Sequence, residues 1–289
     1  MKTSPLMSGL HRCKLFEDIA EDVWKRVNMA HDVGINLNEC GLTKDILVDI
    51  LHYNKLGVPN FDVYARPSYD EPTYGSDMDV FIEVRDGQYI WIALQAKLLK
   101  KNKRYDTLRD TSDGTMQWDK LTRLEAVTGC KSYYLMYNGH ATFQHTGNDA
   151  CSRPFIESQF GCSLVEPQDI KKVASLKDTR GRNINPLFKT IHPKLAQPWR
   201  VLVCCFHNLD ELTLYSTGEI LGSNADRVLV KSEILSDDIS IEDDSSAGNQ
   251  ANSPDFSEGT DDRILNGSRE ANWNPDLRIV IKTTTSLRL

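Results

Sequence analysis

The stretch that decides the fold runs from Gly75 to Leu98 and reads GSDMDVFIEVRDGQYIWIALQAKL. Residues 78–84 alternate as a strand does, and residues 89–98 form a second, more apolar strand pattern. Between them stands Arg85-Asp86-Gly87-Gln88, in which the Asp-Gly pair is a strong signal for a hairpin turn. We therefore predict two adjacent antiparallel strands.

Helical patterns precede this hairpin. Apolar residues recur at three- and four-residue steps between Leu6 and Ala30 and predict an amphipathic helix. A second helix is expected to begin near Asn38 or Thr43 and to end at Gly57-Val58-Pro59. A short strand at Phe61–Tyr64 and a polar loop lead from it into the hairpin.

Alternating element types follow the hairpin. A basic stretch leads into a predicted helix at Thr115–Val127 and an apolar strand at Tyr133–Tyr137. Further along, Ile170–Leu176 reads as a helix and Arg200–Phe206 as a buried strand. This order predicts an α/β fold with a mixed central β-sheet flanked by helices.

Composition divides the chain into a domain and a tail. Residues 1–235 are expected to form one α/β domain, and residues 236–289 an acidic, flexible tail. Within that tail, Ser236–Asp262 is rich in acidic and small polar residues and poor in apolar ones. The last segment, Asp276–Leu289, reads as either an edge strand or an unstructured end.

Overall charge and cysteine content limit the class of protein. The net charge of -7 excludes a broad basic field, so any contact with nucleic acid needs a local patch. The seven cysteines show no Cys-x-x-Cys pair and are expected to be reduced thiols. Neither a membrane span nor a signal-peptide pattern stands out, so we expect a cytoplasmic protein without membrane contact.

Polar residues in the hairpin form a candidate site. Gln95 and Lys97 share one strand face because side chains alternate, and Asp77 shares a face with Asp79 on the neighbouring strand. Asp77 is the favoured metal ligand because it directly follows Gly75-Ser76, and Asp79 is the alternate. Carboxylate, amide and ammonium groups brought together in this way suit phosphodiester hydrolysis, with Mg²⁺ or Mn²⁺ held by oxygens and Lys97 at the attacking water.

Each candidate also has a plain structural interpretation. Lys97 could be a strand-end lysine that reaches solvent, although a lysine inside an apolar strand is costly unless it is paired. Glu39 lies at a helix start, where an acid can cap amides and favour the helix dipole. The basic residues Lys100, Lys101, Lys103 and Arg104 could form a solvated loop or contact phosphates.

These residues resemble the PD-(D/E)XK nuclease superfamily, in the Gln-x-Lys variant of Mrr-like restriction enzymes, over residues 37–137. Glu39 matches the helical acid, Asp77 the metal-binding aspartate, Gln95 and Lys97 the Gln-x-Lys pair, and Gln117 the polar residue of the following helix. The resemblance implies a restriction-endonuclease-like fold and a Mg²⁺- or Mn²⁺-dependent endonuclease, with Asp77, Gln95 and Glu39 at the metal. DNA is the expected substrate, RNA stays open, and a homodimer is expected because cutting two strands takes two sites.

A weaker resemblance is to an uncharacterised bacterial family linked to anti-phage islands. It is carried by Gln95-Ala96-Lys97, Tyr105, Gln117 and Tyr137-Asn138, and it implies a part in antiviral defence. Two rivals stay open. One is a catalytically inactive nuclease-fold module that binds nucleic acid or a protein partner, and the other is an interaction protein that works through its acidic tail.

Overall fold

A computed structural model describes residues 5–55, 62–66, 74–85, 88–112, 114–147, 154–204, 212–216 and 277–282. Its helices are α1 Pro5–Val33, α2 Glu39–Lys55, α3 Gln117–Thr128, a 3-10 helix Glu157–Gly161, α4 Pro167–Ala174, α5 Phe188–Ile191 and α6 Val201–Cys204. Its strands are β1 Asp62–Arg66, β2 Met78–Arg85, β3 Gln88–Leu98, β4 Thr111–Ser112, β5 Thr115–Met116, β6 Lys131–Tyr137, β7 Thr146–Gly147, β8 Phe155–Ile156, β9 Cys162–Val165, β10 Gln197–Pro198, β11 Tyr215–Ser216 and β12 Leu277–Lys282.

One mixed sheet organises the fold. Its strand order is β1-β12-β2-β3-β6-β9-β10, and β11 pairs with the start of β3. The β2–β3 pair is antiparallel, as predicted, whereas β12 runs parallel to β2 and β6 runs parallel to β3. The predicted fold class, a mixed central sheet flanked by helices, is therefore confirmed.

The sheet carries a separate apolar layer on each face. Helices α1 and α2 cover one face, where Phe16, Val23 and Ile46 pack against alternate residues of β3 such as Leu94 and Leu98. Helices α3 and α4 cover the opposite face, which includes Ala93, Tyr134, Leu121 and Ile170. Since side chains alternate along a strand, Gln95 and Lys97 point with Ala93 toward this second layer.

A buried polar network links the loop after β3, the end of β6, strand β9 and the end of α5. We call Tyr105, Asn138, Ser163 and His192 the Asn138 network. The Tyr105 hydroxyl donates to Asn138 Oδ1 at 2.5 Å, and Asn138 Nδ2 donates to the Phe160 carbonyl and to Ser163 Oγ. His192 Nε2 lies 2.7 Å from Ser163 Oγ, and burial lowers the pKa of His192 to about 3. Hydrogen bonds thus compensate the burial of four polar side chains.

The segment at Arg200 differs from its prediction. Arg200–Phe206 was predicted to be a buried strand, but residues 201–204 form the short helix α6, and residues 205 and 206 lie outside the described residues. Arg200 is buried, donates to Glu17 Oε1 and to the Pro154 carbonyl, and packs over the Phe155 ring. These contacts hold the backbone of Arg200 at the start of a helical turn. Within that turn the Val203 amide donates to the Arg200 carbonyl at 3.0 Å.

Residues 277–282 were expected at an edge of the sheet or in an unstructured end. They form β12, which pairs with β1 on one side and with β2 on the other, so this strand lies inside the sheet. The acidic segment Ser236–Asp262, the loop at residues 67–73, and the turn residues 86 and 87 lie outside the described residues. Residues 277–282 therefore belong to the sheet of the domain, although they fall within the tail predicted to begin at residue 236.

Across the part of the chain that the structure describes, none of the helices has both the length and the apolar character needed to span a membrane.

Candidate active site at the end of the hairpin

Asp77 and Gln95 meet across the β2–β3 pair. The register sets Met78 opposite Leu94, and the Asp77 amide donates to the Leu94 carbonyl at 2.8 Å. Gln95 Nε2 lies 2.5 Å from Asp77 Oδ2, which also accepts the Ala96 amide at 2.6 Å. Asp79, the alternate, is buried beside Ser76, whose hydroxyl lies 3.4 Å from Asp79 Oδ1. The structure therefore brings Asp77, rather than Asp79, to Gln95.

Lys97 is buried two residues beyond Gln95. Its side chain is 2% exposed, and Nζ lies 3.4 Å from Oδ2 of Asp110, a carboxylate that is 51% exposed. The predicted alternative, a strand-end lysine that extends into solvent, is wrong because the side chain points into the α3 layer. The buried ammonium group therefore contacts a carboxylate that is itself half exposed to solvent.

Glu39 reaches the same strand from the opposite layer. Its Oε1 accepts the Leu98 amide at 3.1 Å and the Thr107 hydroxyl at 3.3 Å. The cap of α2 comes from Asn38, whose Oδ1 accepts the Gly41 amide at 2.5 Å. Glu39 therefore binds at the end of β3, one residue beyond Lys97.

Helix α3 packs over the site on the face of the sheet that α3 and α4 cover. Gln117 and Lys120 are both buried, and they share one helix face because they lie three residues apart. Gly75 has a φ of +71°, and a Cβ added there would come within 2.9 Å of Lys120 Cβ. The loop before Asp77 can pack this closely against α3 because residue 75 is a glycine.

Three buried polar atoms around this cluster lack a hydrogen-bond partner among the described residues. They are Gln95 Oε1, Gln117 Oε1 and the Tyr134 hydroxyl. Gln95 and Tyr134 are register partners on β3 and β6, and the backbone N–H of Gln117 donates to the backbone carbonyl of Asp110 at 3.4 Å. Buried polar atoms are nearly always satisfied in native proteins, so these three atoms, on β3, α3 and β6, are candidates for contact with a bound group.

The basic stretch after β3 divides into two pairs. Lys103 Nζ lies 3.1 Å from His31 Nδ1 and donates to the Gly139 carbonyl, and Arg104 donates to the Asn185 carbonyl at 2.6 Å. Burial lowers the pKa of Lys103, and burial together with the Lys103 charge lowers that of His31. Lys101 is exposed and Lys100 half-buried. Lys100 and Lys101 are therefore the pair more available to a phosphate.

Sequence reasoning missed three residues of this cluster. Lys120 carries a usable signal, since it follows Gln117 by three positions on a predicted helix. Asp110 stands in an irregular segment, and Tyr134 depends on which strand lies beside β3, so neither carries a local signal. His140 and His145, predicted to be bystanders, pack against Phe143 and have no described role in this cluster.

No group of three or more His, Cys, Asp or Glu side chains in the described ranges is arranged to hold a metal ion. The polar groups beside the Asp77 carboxylate are instead the Gln95 amide, which turns its Nε2 toward Asp77, and the Ala96 carbonyl, which lies 3.5 Å from Gln95 Nε2.

Comparison with family models gives one match. A model described as a family of unknown function, DUF6615, matches residues 12–286. The chain belongs to this family. No curated protein matches the sequence. The DUF6615 match includes both the hairpin and β12, so the strand that returns to the sheet lies within the family's extent.

Proposed function

We propose that this chain is a metal-dependent nuclease that hydrolyses phosphodiester bonds of DNA with a restriction-endonuclease-like site. The observation that carries the proposal is the buried Gln95-x-Lys97 pair with Asp77 directly opposite, at 2.5 Å from the Gln95 amide. A carboxylate, an amide and an ammonium group converging on a central strand is costly for folding alone. A site for charge-dependent chemistry accounts for that cost.

The oxygen atoms present fit Mg²⁺ or Mn²⁺. Gln95 Oε1 is buried and has no hydrogen-bond partner in the described ranges, so it is available as a ligand. Asp77, Gln95 and the Ala96 carbonyl would hold the ion, with the Gln95 amide turned over so that Oε1 takes the place of the Nε2 that faces Asp77. All three would then offer hard oxygen donors of the kind that Mg²⁺ prefers. When bound, such an ion supplies positive charge at the phosphate and lowers the pKa of nearby water.

Lys97 provides the fixed positive charge. Its ammonium group lies beside Asp110, which leaves it two further N–H donors for a phosphoryl oxygen or for the attacking water. Negative charge on the phosphoryl oxygens grows as water attacks, and a donor already held in place stabilises that charge without rearrangement. Asp110 keeps the ammonium group oriented until substrate arrives.

Glu39 and Gln117 have supporting roles in this proposal. Glu39 holds the Leu98 amide and the Thr107 hydroxyl, which fixes the end of β3 and the loop that leads to Asp110. Its carboxylate would complete the coordination of metal or water from the α2 side. Gln117 places an amide oxygen beside the Asp110 segment from the α3 side.

Phosphate contacts outside the cleavage centre are assigned to Lys100 and Lys101, with Lys103 and Arg104 shaping the loop that presents them. With a net charge of -7, the chain needs such a local patch to approach a polyanion. A homodimer with two sites would cut both strands of a duplex. A part in antiviral defence follows only from the weaker of the two family resemblances.

Plasmid cleavage tests the proposal. Purified protein is incubated with supercoiled plasmid in Mg²⁺, Mn²⁺ or EDTA, beside Asp77→Asn and the control Asp169→Asn, which alters a partly exposed carboxylate paired with Lys172 on α4. We expect metal-dependent nicking by the wild type and the control, and a loss of at least about 100-fold in Asp77→Asn. A parallel incubation with RNA identifies the nucleic acid.

Nicking that persists undiminished in Asp77→Asn would contradict the proposed site. Binding of DNA without cleavage in either metal would contradict the nuclease and favour the catalytically inactive binding module.

A further inference from the structure

Tyr134 stands apart from the other buried tyrosines. On β6, the Tyr137 hydroxyl lies 2.8 Å from Thr43 Oγ1, and in the loop after β3 the Tyr105 hydroxyl donates to Asn138. Tyr134 is likewise 0% exposed, yet its hydroxyl has no hydrogen-bond partner among the residues described. A phenylalanine would fill the same space without burying an unpaired hydroxyl, so packing does not explain the oxygen.

The Tyr134 hydroxyl lies at the candidate active site. Tyr134 is the register partner of Gln95 on the adjacent parallel strand, and Gln95 Oε1 is a second buried atom without a partner in the described ranges. Burial raises the pKa of Tyr134, and the charges of Asp77 and Asp110 raise it further. The phenol therefore keeps its proton near neutral pH and can donate a hydrogen bond.

A water molecule suits this pair of atoms. A buried water typically makes about three hydrogen bonds to otherwise unsatisfied polar groups. The hydroxyl can donate to the water oxygen. The amide oxygen has two lone pairs, so it can accept one of the water protons and still serve as the metal ligand proposed above. Lys97 lies two residues further along the same strand face as Gln95, and its ammonium group contacts Asp110.

We propose that Tyr134 is a positioning residue that holds the attacking water through its hydroxyl, an inference that rests on the proposed nuclease function. In the hydrolysis, the water oxygen bonds to phosphorus as the bond to the leaving ester oxygen breaks. The water loses a proton to solvent and the leaving oxygen takes one up. Tyr134 keeps its own proton throughout and orients the water.

The test is Tyr134→Phe, with Tyr137→Phe as a matched control on the same strand. Thermal unfolding in EDTA reports stability without metal, and kcat and KM are measured on plasmid with Mg²⁺. We expect Tyr134→Phe to melt at or above the wild-type temperature while kcat falls about 100-fold with KM unchanged, because a misplaced nucleophile slows the reaction and leaves binding intact. Tyr137→Phe should melt lower, because it breaks a hydrogen bond that is made, and its kcat should stay within about twofold of wild type.

A Tyr134→Phe variant with wild-type kcat would overturn this role and leave the nuclease proposal standing. A lower melting temperature with a loss of activity that stabilising conditions restore would also overturn it, since the hydroxyl would then be structural. Absence of cleavage by the wild-type protein would instead overturn the nuclease function and this role with it.

Discussion

Two buried polar clusters lie beside the same strand of the sheet, and they differ in how completely they are satisfied. In the Asn138 network, Asn138 accepts from Tyr105 and donates to the Phe160 carbonyl and to Ser163, and Ser163 in turn contacts His192. Around the cluster of Asp77, Gln95 and Lys97, three buried polar atoms on β3, α3 and β6 have no partner in the described part of the chain. Burial alone therefore does not distinguish them.

The difference indicates separate uses of buried polarity. A network whose hydrogen bonds are all made specifies one arrangement of the chain and gains little from a ligand. A cluster with unsatisfied atoms keeps a cost in the folded protein that a bound group can remove. Substitutions should therefore separate activity from stability in opposite ways at the two clusters.

The largest effect is expected from Lys97→Met, which keeps the length of the side chain and removes its charge. Cleavage should fall by about 100- to 1,000-fold, because a preorganised donor to the phosphate is lost. The free energy of unfolding should stay the same or rise, since Lys97 is 2% exposed and its partner Asp110 remains half in solvent. Plasmid nicking and urea denaturation measure the two quantities. Full activity in this variant would remove Lys97 from the site.

The opposite pattern is expected from Asn138→Ala. It leaves the Tyr105 hydroxyl and the Phe160 carbonyl without their partner, and should lower the free energy of unfolding by about 3 kcal/mol. Cleavage per folded molecule should change little, because Asn138 takes no part in the proposed chemistry. Urea denaturation, followed by cleavage assays below the unfolding transition, tests both statements. An Asn138→Ala variant that stays stable but loses cleavage would contradict the proposed difference between the two clusters.

The effect of pH is smaller over any one pH unit. Burial lowers the pKa of His192 from 6.5 to about 3 in the folded protein, so the unfolded chain binds the proton more tightly. The stability that neutral His192 contributes is complete above pH 6.5 and is lost as pH falls from 6.5 toward 3, at up to about 1.4 kcal/mol per pH unit. Urea denaturation of the wild type and of His192→Asn across this range isolates the slope. Parallel slopes in the two proteins would show that His192 does not titrate in this way.

Local patterns in the sequence predicted the centre of the fold. The hairpin, the helices at α1, α2 and α3, and strand β6 follow from hydrophobic periodicity and turn residues. Strand alternation and the Asp-Gly turn predicted that Asp77 and Gln95 would come near each other. Their pairing also depends on a register shift between Glu83 and Arg85, which was not predicted. Whether these residues perform the proposed chemistry stays a prediction.

Long-range contacts account for what could not be predicted. The prediction of a buried strand at Arg200–Phe206 was wrong because Arg200 pairs with Glu17, which lies 183 positions earlier in the chain. Asp110 comes to Lys97 through an irregular loop, and Tyr134 comes to Gln95 only because β6 is the parallel neighbour of β3. No periodicity within one segment contains that information.

The position of β12 has a consequence for how this protein is made. Strand β2, which follows directly on Asp77, receives its parallel neighbour from residues 277–282, far along the chain. A ribosome must therefore pass Lys282 before the gap between β1 and β2 can close. Until then the edge of β2 is unpaired and can form hydrogen bonds with strands of other chains. The sheet also forms late, because β2 and β12 are far apart in the sequence. A partly synthesised chain thus carries the Asp77 region without the strand that completes its sheet.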